Sequence, residues 1–197
     1  FDRDASGTVF SVGAGVVFLK RLADALRDRD HIYAVVLASV VNNDGSRRVG
    51  YTAPGEFGQT AVIGEAISLS GLSARDIGLV ESHGTGTALG EPIEFAALGK
   101  AFGHFTQDRG FCALGAVKAN IGHADAASGI ASFIKAVMAV HTGHIPPHPL
   151  FEEANPALDL DASPFYINTA LADWKDAERP RAAGISSFGI GRSRSFR

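Results

Sequence analysis

The chain has one cysteine, Cys112, and one methionine, Met138, among 197 residues. A single cysteine excludes an internal disulfide framework and fits a reducing compartment, so a cytoplasmic protein is expected. No apolar stretch is long enough to span a membrane. A formal net charge of −3 with no basic block leaves no surface suited to nucleic acid or anionic lipid, and neither is expected as a partner. His141, His144 and His148 cluster loosely, yet no cysteine or carboxylate joins them at zinc-site spacing, so no metal is expected. Gly84-Thr85-Gly86-Thr87 lacks the Walker lysine and the dinucleotide glycine spacing, which excludes nucleotide binding. Phe1 opens the sequence with neither an initiator methionine nor a signal-peptide pattern, as expected for an internal piece of a longer protein.

What is present is one sizeable apolar core. The composition is 46% hydrophobic and 20% charged, ordinary for a globular domain, and the length suits one unit rather than two. Residues 8–22 are β-rich on both sides of Gly13 and Gly15 and predict a strand bent at the glycines. Residues 32–41 are almost continuously apolar and predict a strand buried on both faces, with a short charged connection at 23–30. Asn42-Asn43-Asp44-Gly45-Ser46 signals a turn opening an irregular loop to Pro54-Gly55. Helical spacing over 57–70 stops at Gly71, and Ser73-Ala74-Arg75-Asp76 reads as a capping-box turn.

The chain turns on Val80-Glu81-Ser82-His83-Gly84-Thr85-Gly86-Thr87. The apolar run before it is a short strand, and Gly90-Glu91-Pro92-Ile93-Glu94 starts a helix reaching about Phe102, its acids complementing the positive end of the helix dipole. His83 therefore sits just past a strand end, where open α/β sheets place their chemistry. The pattern then repeats. An apolar strand over 112–117 ends in Lys118-Ala119-Asn120-Ile121-Gly122-His123, and a buried helix follows over 126–140. Residues 141–161 read as loop, and 164–168 and 182–191 as late strands. The last six residues, Arg192-Ser193-Arg194-Ser195-Phe196-Arg197, have no apolar period and are expected to be disordered. The order is α/β with a mixed sheet.

His83-Gly84-Thr85-Gly86-Thr87, Gly90-Glu91-Pro92-Ile93-Glu94, Lys118-Ala119-Asn120-Ile121-Gly122-His123 and Ser187-Phe188-Gly189-Ile190-Gly191 together closely resemble the C-terminal half of a β-ketoacyl synthase of the modular type I polyketide synthases. The likeness runs from Phe1-Asp2 to Gly191. It implies a thiolase-like fold, incomplete here: 1–30 would be the end of the N-terminal half, 31–191 the C-terminal half and 192–197 an atypical tail. It also implies a decarboxylative Claisen condensation, in which an active-site cysteine takes an acyl group and a malonyl-type extender on acyl carrier protein loses CO2 and attacks it. The implied partners are the acyl carrier protein, the missing N-terminal half and a second copy in a homodimer. No tightly bound cofactor is implied, the substrates being carried on phosphopantetheine.

Loss of CO2 leaves charge on the thioester oxygen, and a donor aimed at such an oxygen is worth roughly 3 to 4 kcal/mol in other enzymes. By matching motifs the resemblance assigns two such donors, His83 and His123, with Lys118 supporting the pair and Glu94 linked to that lysine. Thr85 and Thr87 match threonines that bond the phosphopantetheine arm, and Ile190, with Phe188, falls to substrate binding at the acyl pocket.

Two features depart from the family pattern. Nothing here resembles the Cys-Ser-Ser type turn that carries the nucleophile, and Cys112, opening an apolar strand, is expected to be a packing residue. After Gly191, Arg192-Ser193-Arg194 replaces a Gly-Thr-Asn type run. Two rival readings follow: a non-catalytic remnant that at most binds carrier protein or pantetheine, and a thiolase-like acyltransferase that does not decarboxylate.

Overall fold

The computed structural model describes residues 1–43, 55–174, 179–189 and 194–196. The expected turn beyond Asn43 and the expected pocket residue Ile190 lie outside the described residues. The elements in chain order are α1 (Leu22–Asp28), β1 (Val40–Asn42), α2 (Glu56–Ser70), β2 (Ile77–Glu81), α3 (Gly90–Gly103), β3 (Cys112–Gly115), α4 (Lys118–Ile121), α5 (Ser128–Thr142), β4 (His144–Ile145), β5 (Phe165–Tyr166), β6 (Ala172–Asp173), β7 (Ala182–Phe188) and β8 (Arg194–Phe196).

Six strands form one sheet in the order β1-β8-β7-β2-β3-β5. β7, β2, β3 and β5 run parallel, while β8 is antiparallel to both β7 and β1. Period-2 alternation sorts the side chains between two helical layers. Val80, Cys112 and Leu114 join the core under α2 and α3, with Val62, Ile63, Phe95, Leu98 and Phe102. Leu79 and Ala113 face the other way, onto Ala139 of α5 and Ile145.

Local chemistry explains the run into β2. Gly71 ends α2 in the left-handed region, and Ser73 and Asp76 exchange both hydrogen bonds of a capping box, as the sequence predicts. β2 and β3 then start and stop within two residues of expectation. The polar turn after β3 is itself helical, as α4.

Three expectations are corrected. Residues 8–22 form no strand ladder, and Val12, Val16 and Phe18 are 98%, 93% and 92% exposed. Of 32–41, expected to be buried on both faces, only Val40 and Val41 enter a strand, and Tyr33, Val35, Val36 and Leu37 remain exposed. Both stretches have strand composition without a strand or helix among the described residues packed over that face, so their apolar side chains meet water. The connection between them carries a two-turn helix, α1, closed by Arg21–Asp24 and Arg27–Asp24 ion pairs.

The third correction concerns the tail. Residues 194–196, expected to be disordered, form β8, an inner strand of the sheet. Phe196 anchors it at 2% exposure, opposite Val40 on one side and Ser186 on the other. Its ring lies over Gly184, in the space a Cβ there would need. One aromatic fitted to one glycine, with ladder pairing on both sides, seats three residues, and a segment that short displays no period.

Candidate functional site at the carboxyl edge of the sheet

Because β2, β3 and β7 are parallel neighbours, the three motifs that follow or end them emerge at one edge of the sheet. His83 lies two residues beyond β2, His123 follows β3 and α4, and Phe188 ends β7. The His83 and His123 rings meet edge to face with centroids 5.5 Å apart, and the Phe188 ring is 5.2 Å from His83.

The hydrogen bonds fix the tautomer of each imidazole. His123 Nδ1 accepts the Asp125 N–H at 3.0 Å and lies 2.8 Å from the Ser128 hydroxyl. Asp125 adopts a left-handed φ of 46°, a conformation an aspartate tolerates. His83 Nδ1 accepts the Phe188 N–H at 3.3 Å and faces Lys118 Nζ at 3.3 Å. With each Nδ1 acting as acceptor, the proton of each neutral ring sits on Nε2. Burial, then the charge of Lys118, pushes the His123 pKa down, which favours the neutral ring.

The His83 turn is held from α3. Glu94 Oε1 accepts the His83 N–H at 2.7 Å and Oε2 the Gly84 N–H at 2.9 Å, while Glu91 accepts the Gly86 N–H at 3.0 Å. Gly84 and Gly86 both have positive φ, and a Cβ on Gly84 would approach Ala116 Cβ to 2.5 Å. Thr87 Oγ1 accepts the Gly90 N–H at the start of α3 and lies 3.1 Å from Thr85 Oγ1, so the two threonine hydroxyls adjoin on the half-buried loop. The loop also pairs with the chain's first residues through Gly7 N–H to Gly86 carbonyl and the Thr8 hydroxyl to the Thr85 carbonyl.

Lys118 and Glu94 are both buried. The resemblance links them, but here Glu94 spends both oxygens on backbone N–H groups, and Lys118 lies against His83. They act on each other through the field: burial lowers the Lys118 pKa, and Glu94 opposes that shift. Burial likewise raises Glu94 to about 7, against the two N–H bonds that favour its charged form. Cys112 is fully buried at the start of β3 with its thiol pKa pushed up by burial, the opposite of an activated nucleophile.

His83, His123, Lys118, Glu94, Thr85, Thr87 and Phe188 thus gather at one edge. Ser128 and Asp125 were not singled out from the sequence. Their positions five and two residues after His123 gain meaning only once the turn and the start of α5 are folded.

The family model described as the β-ketoacyl synthase C-terminal domain matches residues 33–152. The chain belongs to the β-ketoacyl synthase family. This ketosynthase stretch is 50% identical over 191 residues to a phenolphthiocerol/phthiocerol polyketide synthase of Mycobacterium tuberculosis, covering 97% of the chain and 12% of that protein. It is 44% identical over 198 residues to polyketide synthase PksM of Bacillus subtilis, covering 98% of the chain and 5% of that protein. Among solved structures, the ketosynthase from module 1 of the bacillaene synthase of Bacillus amyloliquefaciens superposes with a TM-score of 0.94 at 42% identity, over 100% of this chain and 35% of that one. The fold is accordingly thiolase-like, and the chain is a ketosynthase C-terminal domain of polyketide synthase type that spans about a third of a ketosynthase. Among the described residues no helix is long and apolar enough to cross a membrane.

Proposed function

We propose that this stretch supplies the decarboxylation half of a polyketide condensing site. The observation that carries the reading is the facing pair of imidazoles at the sheet edge, each with Nδ1 engaged by a backbone donor and therefore with its proton on Nε2. When a malonyl thioester loses CO2, the electron pair of the broken bond delocalises onto the thioester oxygen. Two neutral Nε2–H donors converging there stabilise the enolate without having to give up a proton. The Lys118 ammonium beside His83 adds positive potential near the same place. Thr85 and Thr87 offer hydroxyls along the loop for the phosphopantetheine arm, and Phe188 borders the acyl group, a role the resemblance also gives to Ile190.

The enolate carbon would then attack an acyl thioester on a cysteine outside this chain, since Cys112 is in the core. The reading assigns residues 1–30 to the end of the N-terminal half and makes that half, the acyl carrier protein and a second copy the partners. It also explains why Val12, Val16 and Phe18 are bare: the rest of the ketosynthase would cover them.

The test is release of labelled CO2 from malonyl carrier protein by the full-length protein. Release is expected, with His83→Ala and His123→Ala each lowering it about 100- to 1,000-fold. Acyl transfer without CO2 release would favour the acyltransferase reading, and neither activity would favour a carrier-binding remnant.

A further inference from the structure

Glu81 ends β2 and is wholly buried, yet no role assigned so far uses it. It stands two residues before His83, and strand alternation turns it, like Leu79, to the α5 side of the sheet. One carboxylate oxygen accepts the N–H of Val117, the residue that leads directly into Lys118. The other pairs with Lys135 Nζ at 2.8 Å; that lysine projects from α5 and is itself 15% exposed. The pair rests against Gly115 of β3, where a Cβ would lie 3.0 Å from the Glu81 oxygen and 3.3 Å from Lys135 Nζ. The space a side chain would fill at Gly115 is occupied by the ion pair. Ser82 adds two bonds in the same direction, its N–H and its hydroxyl both reaching the Gly115 carbonyl at 2.8 Å.

We infer that Glu81 is a positioning residue for the condensing site: neutralised by Lys135, it holds the Val117 N–H and so fixes Lys118 against His83 Nδ1. The inference rests on the function proposed above. Three consecutive residues divide the work. His83 carries the imidazole, while Glu81 and Ser82 tie its strand to the strand and turn that carry Lys118 and His123. The arrangement mirrors the one across the loop, where Glu94 grips the His83 and Gly84 N–H groups. Each catalytic turn is thus gripped at its backbone by a buried carboxylate from a neighbouring element. An oxygen acceptor is what Val117 needs. Lys135 is needed because a buried carboxylate without a counter-charge is strongly disfavoured.

That division gives a test in the full-length synthase with two double variants, both free of the buried charges. Glu81→Gln with Lys135→Met keeps an amide oxygen for Val117, whereas Glu81→Leu with Lys135→Met removes it. Melting temperature, CO2 release from malonyl carrier protein and self-acylation by an acyl thioester are measured for both. Decarboxylation in the leucine double is expected about 10- to 100-fold below the glutamine double, with self-acylation equal in the two, because a small displacement of a reacting geometry costs that much. Equal decarboxylation in the two doubles overturns the inference. So does a fall in both half-reactions together, which marks a merely structural pair. A parent synthase that acylates but releases no CO2 overturns the function proposed above and the positioning role with it, so the two failures are distinguishable.

Discussion

Glu94 is a buried group whose ionisation should make stability respond to pH, and Glu94→Gln isolates its share. Burial raises its pKa from 4.5 to about 7 in the folded state. The folded form therefore binds the proton more tightly than the unfolded one, so the group's contribution is fully present below about pH 4.5 and is lost as pH rises through about 7. Integrating between the two values, stability falls by about 1 kcal/mol by pH 5, where the unfolded carboxyl has ionised and the folded one has not, and by about 3 kcal/mol by pH 8, where both have. A glutamine cannot ionise, so it escapes this cost. It keeps one acceptor but presents an NH2 group to the other of the two N–H groups now bonded at 2.7 and 2.9 Å, which costs about 1 to 3 kcal/mol at any pH. The two effects run in opposite directions. The variant should be less stable than the parent at pH 5 and equal to it or more stable at pH 8. Thermal or urea unfolding of the ketosynthase carrying this stretch at the two pH values measures the difference directly. A variant-to-parent difference that is the same at both would refute Glu94 as the titrating group and the account of its burial with it.

Ser128→Ala leaves Asp125 as the remaining donor to His123 Nδ1 and should lower CO2 release about tenfold with little change in melting temperature; an unchanged rate would show that the serine does not orient the ring. Gly84→Ala places a Cβ 2.5 Å from Ala116 in a backbone of φ 43° and should destabilise by about 1 to 3 kcal/mol, measured by denaturant unfolding. Phe196→Ala empties the space over Gly184 and should cost about 3 to 5 kcal/mol, with faster amide exchange at Val40 to Asn42, which among the described residues pair with that strand alone. Cys112 should remain unreactive towards a thiol reagent until the chain unfolds, and rapid labelling of the native form would place it outside the core.

Much of the site was legible because its signals are local. A glycine-bounded apolar run, a histidine at its end and a helix start rich in acids suffice to place His83 past a strand, and the repetition of that pattern at His123 needs only parallel pairing to bring the rings together. The contacts of Glu94 were less accessible. Its motif points to Lys118, but the helix delivers its oxygens to the loop backbone, a distinction of a few ångströms that no spacing encodes. Residues 8–22 and 32–41 misled for another reason. Their composition reports the surroundings they suit, and a strand also requires partners for its ladder and cover for its face. In β8 the opposite occurred, since Phe196 finds in Gly184 a seat on another strand that is invisible in the tail itself.

β8 also carries a consequence for the order of assembly. Among the described residues β1 pairs in the sheet through Arg194, Ser195 and Phe196 alone, so residues 40–42 wait for residues 194–196 before that edge can close. A ribosome making this chain releases β1 more than 150 residues before its partner exists. During that interval Val40, buried in the finished sheet, travels uncovered. Contacts of such long sequence separation form slowly and leave strand edges open to wrong pairing. The parallel strands that bear the histidines can gather as soon as β7 emerges, whereas the margin of the sheet is closed last, by a single phenylalanine.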